Sequence, residues 1–416
     1  MKYRIKKFLS YYKPYLKLFF AIMTCTLAVS GISLLYPLLT RYITKHVLEH
    51  NLSQALSQIY VVGALMVMLV LIQTLANYFV DYHGHRMGAM MESDMRSELF
   101  SHYQKLSFNF YDKQKTGQLM SRVTNDLLLL SELYHHGPED YLRYCVKFIG
   151  AFVILFLINA KLTLVVFAFL PLMGIYALYF NKKMNIALKR NKARIADINA
   201  QVEDTLSGIR VVKSFANEAL EQKKFANAND RFLESRKNSY RNEAYLSNGI
   251  ETFIQLITIA VIVFGGVSIV HASLDLADLI TFLLYIGYLI EPVQKLTHLT
   301  MQYQEGITGF ERFMEIIETE PDIKDTASAI DLKPVYGNIE FRNVGFKYNE
   351  NPDLVLNNLS LKVKSGDYLA LVGPSGVGKT TLCSLLPRFY DVNEGEIFLD
   401  GINIKDIQLQ SLRRNI

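Results

Sequence analysis

Six apolar stretches of about twenty residues organise the first three quarters of the chain. They run over 16–39, 59–79, 141–159, 162–180, 250–270 and 276–293. Each is long enough to cross the hydrocarbon core of a bilayer as a helix. The third stretch passes into the fourth through Asn159, Ala160 and Lys161, so those two must turn back as a tight hairpin. Two long polar segments lie between the second and third stretches and between the fourth and fifth. Within them, 92–103 and 185–201 carry helix formers at helical spacing and no proline, so the apolar helices are expected to continue into these segments. Turns are expected at 112–117 and 206–208. After residue 315 the pattern changes. Residues 316–336 are acidic and polar and include Pro321 and Pro334, which marks a linker. Beyond it, short apolar runs predict strands at 337–342, 344–348, 359–363 and 368–372, and another running from Gly395 into an Asp400-Gly401 turn.

Charge gives this pattern an orientation. The two long segments hold most of the basic residues near the apolar stretches, among them Arg86, Lys105, Lys113, Lys182, Arg190 and Lys213, whereas the opposite side shows Arg41, Lys45 and Lys161. The positive-inside rule then puts the N-terminus, both long segments and the last quarter of the chain in the cytoplasm. Residues 1–14 are basic with Ile5, Phe8, Leu9, Tyr11 and Tyr12 interleaved. They suit an amphipathic helix on the cytoplasmic membrane face, the alternative being a frayed terminus. Tryptophan is absent, so tyrosines near the stretch ends, such as Tyr36, Tyr78 and Tyr288, must form the interfacial belt. Asp81, Glu251 and Glu291 fall near cytoplasmic ends and read as interfacial carboxylates before a substrate path. Pro292 is a candidate kink.

The chain has 416 residues, half of them hydrophobic, and a net charge of +5. That charge sits in particular loops, so it is a topology signal and not a nucleic-acid surface. Three cysteines, Cys25, Cys145 and Cys383, have neither metal nor redox spacing and give no disulfide framework. The first apolar stretch is too long for the core of a cleavable signal peptide.

The candidate chemistry lies at Gly373-Pro374-Ser375-Gly376-Val377-Gly378-Lys379-Thr380-Thr381. The run fits G-x-x-x-x-G-K-[ST], the loop that cradles nucleotide phosphates. Gly373, Gly376 and Gly378 let the backbone turn tightly and aim N–H groups, including that of Ser375, at an anion. Lys379 would reach the β- and γ-phosphates of ATP, and the Thr380 hydroxyl would take one position on Mg²⁺. Thr381 opens a helix whose positive end faces the phosphates. The bare pattern arises by chance in some chains. Here the apolar run Tyr368–Val372 supplies the preceding strand that the motif requires.

These features together resemble a bacterial half-size ABC exporter of the multidrug or lipid type, over nearly the whole chain. The first long segment carries Phe110–Leu119 and Ser121–Asp126, and the second Asp204–Glu218, both close to that family's coupling regions. The resemblance implies an α-helical membrane domain followed by a partial α/β P-loop NTPase domain. The expected divisions are an interfacial helix at 1–14, a transmembrane domain at 15–315, a linker at 316–336 and a nucleotide-binding domain at 337–416. It implies that Tyr348 stacks on adenine, against the plainer reading of a strand tyrosine packed in the small sheet. It implies ATP and Mg²⁺ as cofactors, a second half-transporter subunit as partner and residence in the bacterial cytoplasmic membrane. A hydrophobic or amphipathic substrate (drug, lipid or peptide) would be exported, with no nucleic-acid partner. Leu206-Ser207-Gly208 begins like the family's signature, but Ile209-Arg210 follow, so it is not one.

The departure from the family is the absence of its glutamine loop, signature, Walker B aspartate, catalytic glutamate and switch histidine from these 416 residues. The expectation is a sequence cut short within the nucleotide-binding domain, with no catalytic residue of its own, incompetent for hydrolysis, and with an open sheet that exposes apolar surface. Two rival readings keep the same fold: an ATP-gated channel or regulatory membrane protein, and a non-catalytic fragment that acts only by pairing with other subunits.

Overall fold

The computed structural model describes residues 2–48, 52–348 and 353–416; Met1, at the start of the expected interfacial helix, lies outside them. The helical part begins with α1 (Lys2–Ser10) and α2 (Leu16–Tyr42), then α3 (Leu52–Tyr103), two short helices α4 (Phe108–Asp112) and α5 (Thr116–Ser121), and α6 (Leu127–Ile158). After these come α7 (Ala160–Ser207), the short α8 (Ile209–Ser214), α9 (Glu218–Val270) and α10 (Leu276–Ile317). Six helices among the described residues are long and apolar enough to span a membrane. The chain is a multi-pass membrane protein whose spanning helices run on beyond the bilayer, as the helical spacing of 92–103 and 185–201 predicts. Asn159 caps α7 by accepting from the Leu162 N–H at 3.0 Å, which ends one helix and starts the next within a single residue. Helix α10 continues through Pro292.

The chain forms two compact units. One comprises Leu9–Ala89 and Ser131–Glu305. Its core gathers Leu34, Leu155, Leu162, Met173, Ile257, Phe282 and Tyr285 from α2, α6, α7, α9 and α10. Ser30 and Ser33 donate to carbonyls one turn back on α2, and the Tyr285 hydroxyl of α10 donates across to the Leu34 carbonyl. Glu291 is paired with Lys147 at 2.9 Å.

The other unit comprises the N-terminal residues through Phe8, Met90–Leu130 and Gly306–Ile416. In it, α1 is tied to protein carboxylates, Arg4 to Glu318 and Lys7 to Glu98. An antiparallel four-stranded sheet follows, in the order β2-β1-β3-β4, from β1 (Ile339–Phe346), β2 (Leu356–Val363), β3 (Glu394–Leu399) and β4 (Ile402–Asn403). Helices α11 (Lys379–Leu385) and α12 (Leu409–Arg414) complete it. Its core is built from Phe341, Val344, Leu356, Leu385, Ile397 and Leu412.

Two strand expectations are corrected. The strands expected at 337–342 and 344–348 are one strand, β1, bent by irregular pairing between Arg342 and Gly345. Asn343 takes a positive φ of 47° there and exchanges hydrogen bonds with Ser360 at 3.0 Å. The run 368–372 is not a buried strand: it lies outside the sheet, with Tyr368 and Val372 fully or almost fully exposed. Apolarity makes a strand only where a neighbour takes up the backbone N–H and C=O groups. Among the described residues the four strands pair with one another, and none offers this run a ladder.

Candidate nucleotide-binding site

The loop 373–378 owes its path to positive φ angles at Gly373, Gly376 and Gly378. Gly378 is constrained twice. Its φ is 96°, and a Cβ there would lie 2.8 Å from Leu356 Cδ2 and 3.2 Å from the Val355 carbonyl oxygen. A side chain at this point would push the loop off the sheet. Helix α11 starts directly after it at Lys379, two residues before the expected start at Thr381.

Lys379 folds back over the loop, its Nζ donating to the carbonyls of Gly373 at 2.8 Å and Pro374 at 2.7 Å. Among the described residues no carboxylate pairs with it. A half-exposed cation without a counter-ion, beside an exposed glycine loop at a helix start, fits a phosphate chain. Ser375 and Thr380 are also exposed. One free hydroxyl at Thr380 fits Mg²⁺, which usually takes few protein oxygens beside phosphate and water. Thr381 is different: it is buried, and its Oγ1 lies 3.1 Å from the Tyr348 hydroxyl. So Tyr348 is brought to the first turn of the P-loop helix from just beyond β1, some thirty residues away in sequence. It is half-buried, with Phe346 and Tyr390 edge-on to it at 5.0 and 5.3 Å between ring centres.

Sequence reasoning missed Phe389 and Tyr390, which follow α11. Phe389 stacks on Phe108 of α4 with ring centres 4.2 Å apart, and the Tyr390 hydroxyl donates to the Asp112 carboxylate at 2.7 Å. Burial and that carboxylate hold the Tyr390 phenol well above its ordinary range, so it stays a protonated donor. The Ile323 N–H donates to Ser107 Oγ at 3.1 Å, adding a contact beside them. The tip of the first long segment is thereby seated on residues adjoining the P-loop helix and Tyr348. Nothing in the local pattern of Phe389-Tyr390 announces a docking role. The signal was the aromatic-rich Phe108–Tyr111 run beside the turn expected at the tip of the first long segment.

Comparison with known proteins identifies the two parts of the chain. The family profile for the ABC transporter transmembrane region matches residues 19–293, and the ABC transporter profile matches 356–416. The chain is 40% identical over 414 residues to an uncharacterized ABC transporter ATP-binding protein, YwjA, of Bacillus subtilis (strain 168), covering 99% of this chain and 71% of that protein. It is 33% identical over 352 residues to the ATP-dependent lipid A-core flippase of Syntrophus aciditrophicus (strain SB), covering 84% of this chain and 58% of that one. It is 29% identical over 415 residues to the putative multidrug export ATP-binding/permease protein YgaD of Bacillus subtilis (strain 168), covering 99% and 72%. A six-helix membrane region leading into a domain that carries the P-loop, with both parts matched in that order, makes this chain a member of the ABC transporter family.

Proposed function

We propose that the chain is a subunit of an ATP-driven exporter that moves a hydrophobic or amphipathic compound outward across the bacterial cytoplasmic membrane, working as a dimer with a second half-transporter. The observation that carries this reading is the seat of α4 on Phe389 and Tyr390. It places the loop continuing from α3 against the residues between the P-loop helix and Tyr348. Gly373, Gly376, Gly378 and the Ser375 N–H would cradle the phosphates, and Lys379, now on its loop carbonyls, would supply the positive charge to them. Thr380 would hold the Mg²⁺ and Tyr348, steadied by Thr381, would stack on adenine. Bound ATP supplies the charge and binding energy that draw two such domains together. Tyr390 and Phe108 then pass displacement of the P-loop region to α4, and through the continuous chain to α3. The long segments, the N-terminus and the P-loop domain lie on the cytoplasmic side. The names of the flippase and multidrug-export relatives support lipid-like or drug-like cargo.

Reconstitution in lipid vesicles together with the second half-transporter tests the proposal, with a fluorescent lipid and a hydrophobic dye as probes. ATP-dependent movement of at least one probe, lost in Lys379→Ala, is expected. ATP-gated ion current with no movement of either probe would replace this reading with the channel reading.

A further inference from the structure

We propose that His85, Glu132, His135 and His136 form a binding site for a divalent transition-metal ion of the Zn²⁺ class, joining α3 to α6 just beyond their membrane-spanning stretches. One donor atom from each of the four lies within 4.8 Å of the others. Glu132 Oε2 is 3.6 Å from His136 Nε2 and 3.9 Å from His135 Nε2. The ring centres of His85 lie 4.5 Å from those of His135 and 5.2 Å from those of His136.

The tautomers favour ligation. His135 is 3% exposed, and its Nδ1 lies 2.9 Å from the Ser131 carbonyl oxygen. A carbonyl only accepts, so Nδ1 carries the proton and Nε2 is left with a lone pair. That Nε2 is buried and has no hydrogen-bond partner among the described residues. His85 repeats the arrangement, with Nδ1 2.7 Å from the Asp81 carbonyl oxygen. An imidazole held by a backbone carbonyl at one nitrogen and open at the other is how metal-binding histidines are oriented. Packing alone gives no reason to bury the second nitrogen unpaired, at a cost of about 1–3 kcal/mol.

The helices are built to approach here. A Cβ on Gly88 would lie 2.8 Å from His135 Nδ1 and 3.2 Å from the Ser131 carbonyl oxygen. The glycine on α3 is therefore what lets His135 come this close. His85 is exposed and lines an open groove of about 590 Å³ with Tyr78, Asp81, Tyr82, Arg86 and Ala89, so the cluster meets solvent at this ligand. His85 falls six residues past the stretch 59–79, and His136 five before the stretch at 141–159. The cluster thus lies at one level, roughly 9 Å beyond the apolar core. Three imidazoles and one carboxylate select Zn²⁺ or its neighbours Co²⁺ and Ni²⁺ over the oxygen-seeking Mg²⁺ and Ca²⁺. Tetrahedral Zn²⁺ spaces its donors about 3.4 Å apart, close to the Glu132–His136 separation, and side-chain rotation brings in the others.

The test uses the nucleotide-free full chain, purified in detergent with a tag lacking histidine and stripped with chelator. Equilibrium dialysis against Zn²⁺ should give one tightly held ion per chain. Co²⁺ should give the intense visible absorption of a near-tetrahedral site. His85→Ala and Glu132→Gln, at the more exposed ligands, should each weaken Zn²⁺ binding by roughly tenfold or more. Zn²⁺ should raise the thermal midpoint of the unaltered chain but not of the His85→Ala/Glu132→Gln/His136→Gln variant. Absence of stoichiometric binding, or equal affinity in that triple variant, would overturn the proposal.

Discussion

Tyr390 shows how much one side chain can connect. Its ring contacts Tyr348 and Phe346, and its hydroxyl reaches Asp112 of α4. Tyr390→Phe keeps the rings and removes a hydrogen bond to a charged acceptor, worth about 1 kcal/mol once the exposure of Asp112 is allowed for. ATP affinity should stay within about twofold of the original, while ATP-driven probe movement in vesicles should fall severalfold. A parallel fall in affinity and transport would show that Tyr390 serves the nucleotide site alone. The residues proposed to bind phosphate stand out as a motif because their chemistry is carried by local spacing. Tyr390 does not, because its role depends on a partner 278 residues away.

At the scale of elements, the six long helices were readable because bilayer thickness fixes their length whatever packs around them. Strands have no such yardstick. The run Tyr368–Val372 is apolar yet unpaired, and β1 joins two expected strands through Asn343. The Asp400-Gly401 turn was foreseen, with positive φ at both residues, but the second task of Asp400 was not. Its carboxylate accepts from the N–H groups of Tyr336, Gly337 and Asn338 at 2.7, 3.0 and 2.8 Å, fastening the end of the linker to the β3–β4 turn. Burial alone would raise its pKa, but these hydrogen bonds prevail and lower it. A lowered carboxylate stabilises fully above its unfolded value, near pH 4, and loses that contribution as pH falls through the folded value. Asp400→Asn should therefore reduce hydrogen-exchange protection of the Tyr336, Gly337 and Asn338 amides by about tenfold at neutral pH, equivalent to ~1.4 kcal/mol. The difference from the unaltered chain should vanish in strong acid. Equal protection at neutral pH would remove Asp400 from this role.

For the whole molecule, loop charge and the continuous helices predict which side of the membrane each part occupies. In a variant without native cysteines, single cysteines at Lys113 and Lys213 should react only with reagent on the cytoplasmic side, and one at Ser273 only from outside. Labelling at Lys113 from outside would reverse the topology. Hydrolysis needs a positioned water and a completed Mg²⁺ shell as well as a phosphate cradle. A polypeptide of residues 1–416 alone should show no ATPase turnover above its Lys379→Ala counterpart, measured free of other ATPases. Sustained turnover would mean that catalytic groups lie among residues given other roles above. The central claim, that Gly373–Thr381 and Tyr348 form an ATP site, is most directly tested by titrating the protein in lipid nanodiscs with MgATP at equilibrium. Saturable binding is expected, lost in Lys379→Ala and weakened roughly tenfold in Tyr348→Ala, as removal of a base stack worth ~1.4 kcal/mol requires. Binding of unchanged affinity in both variants would contradict the account.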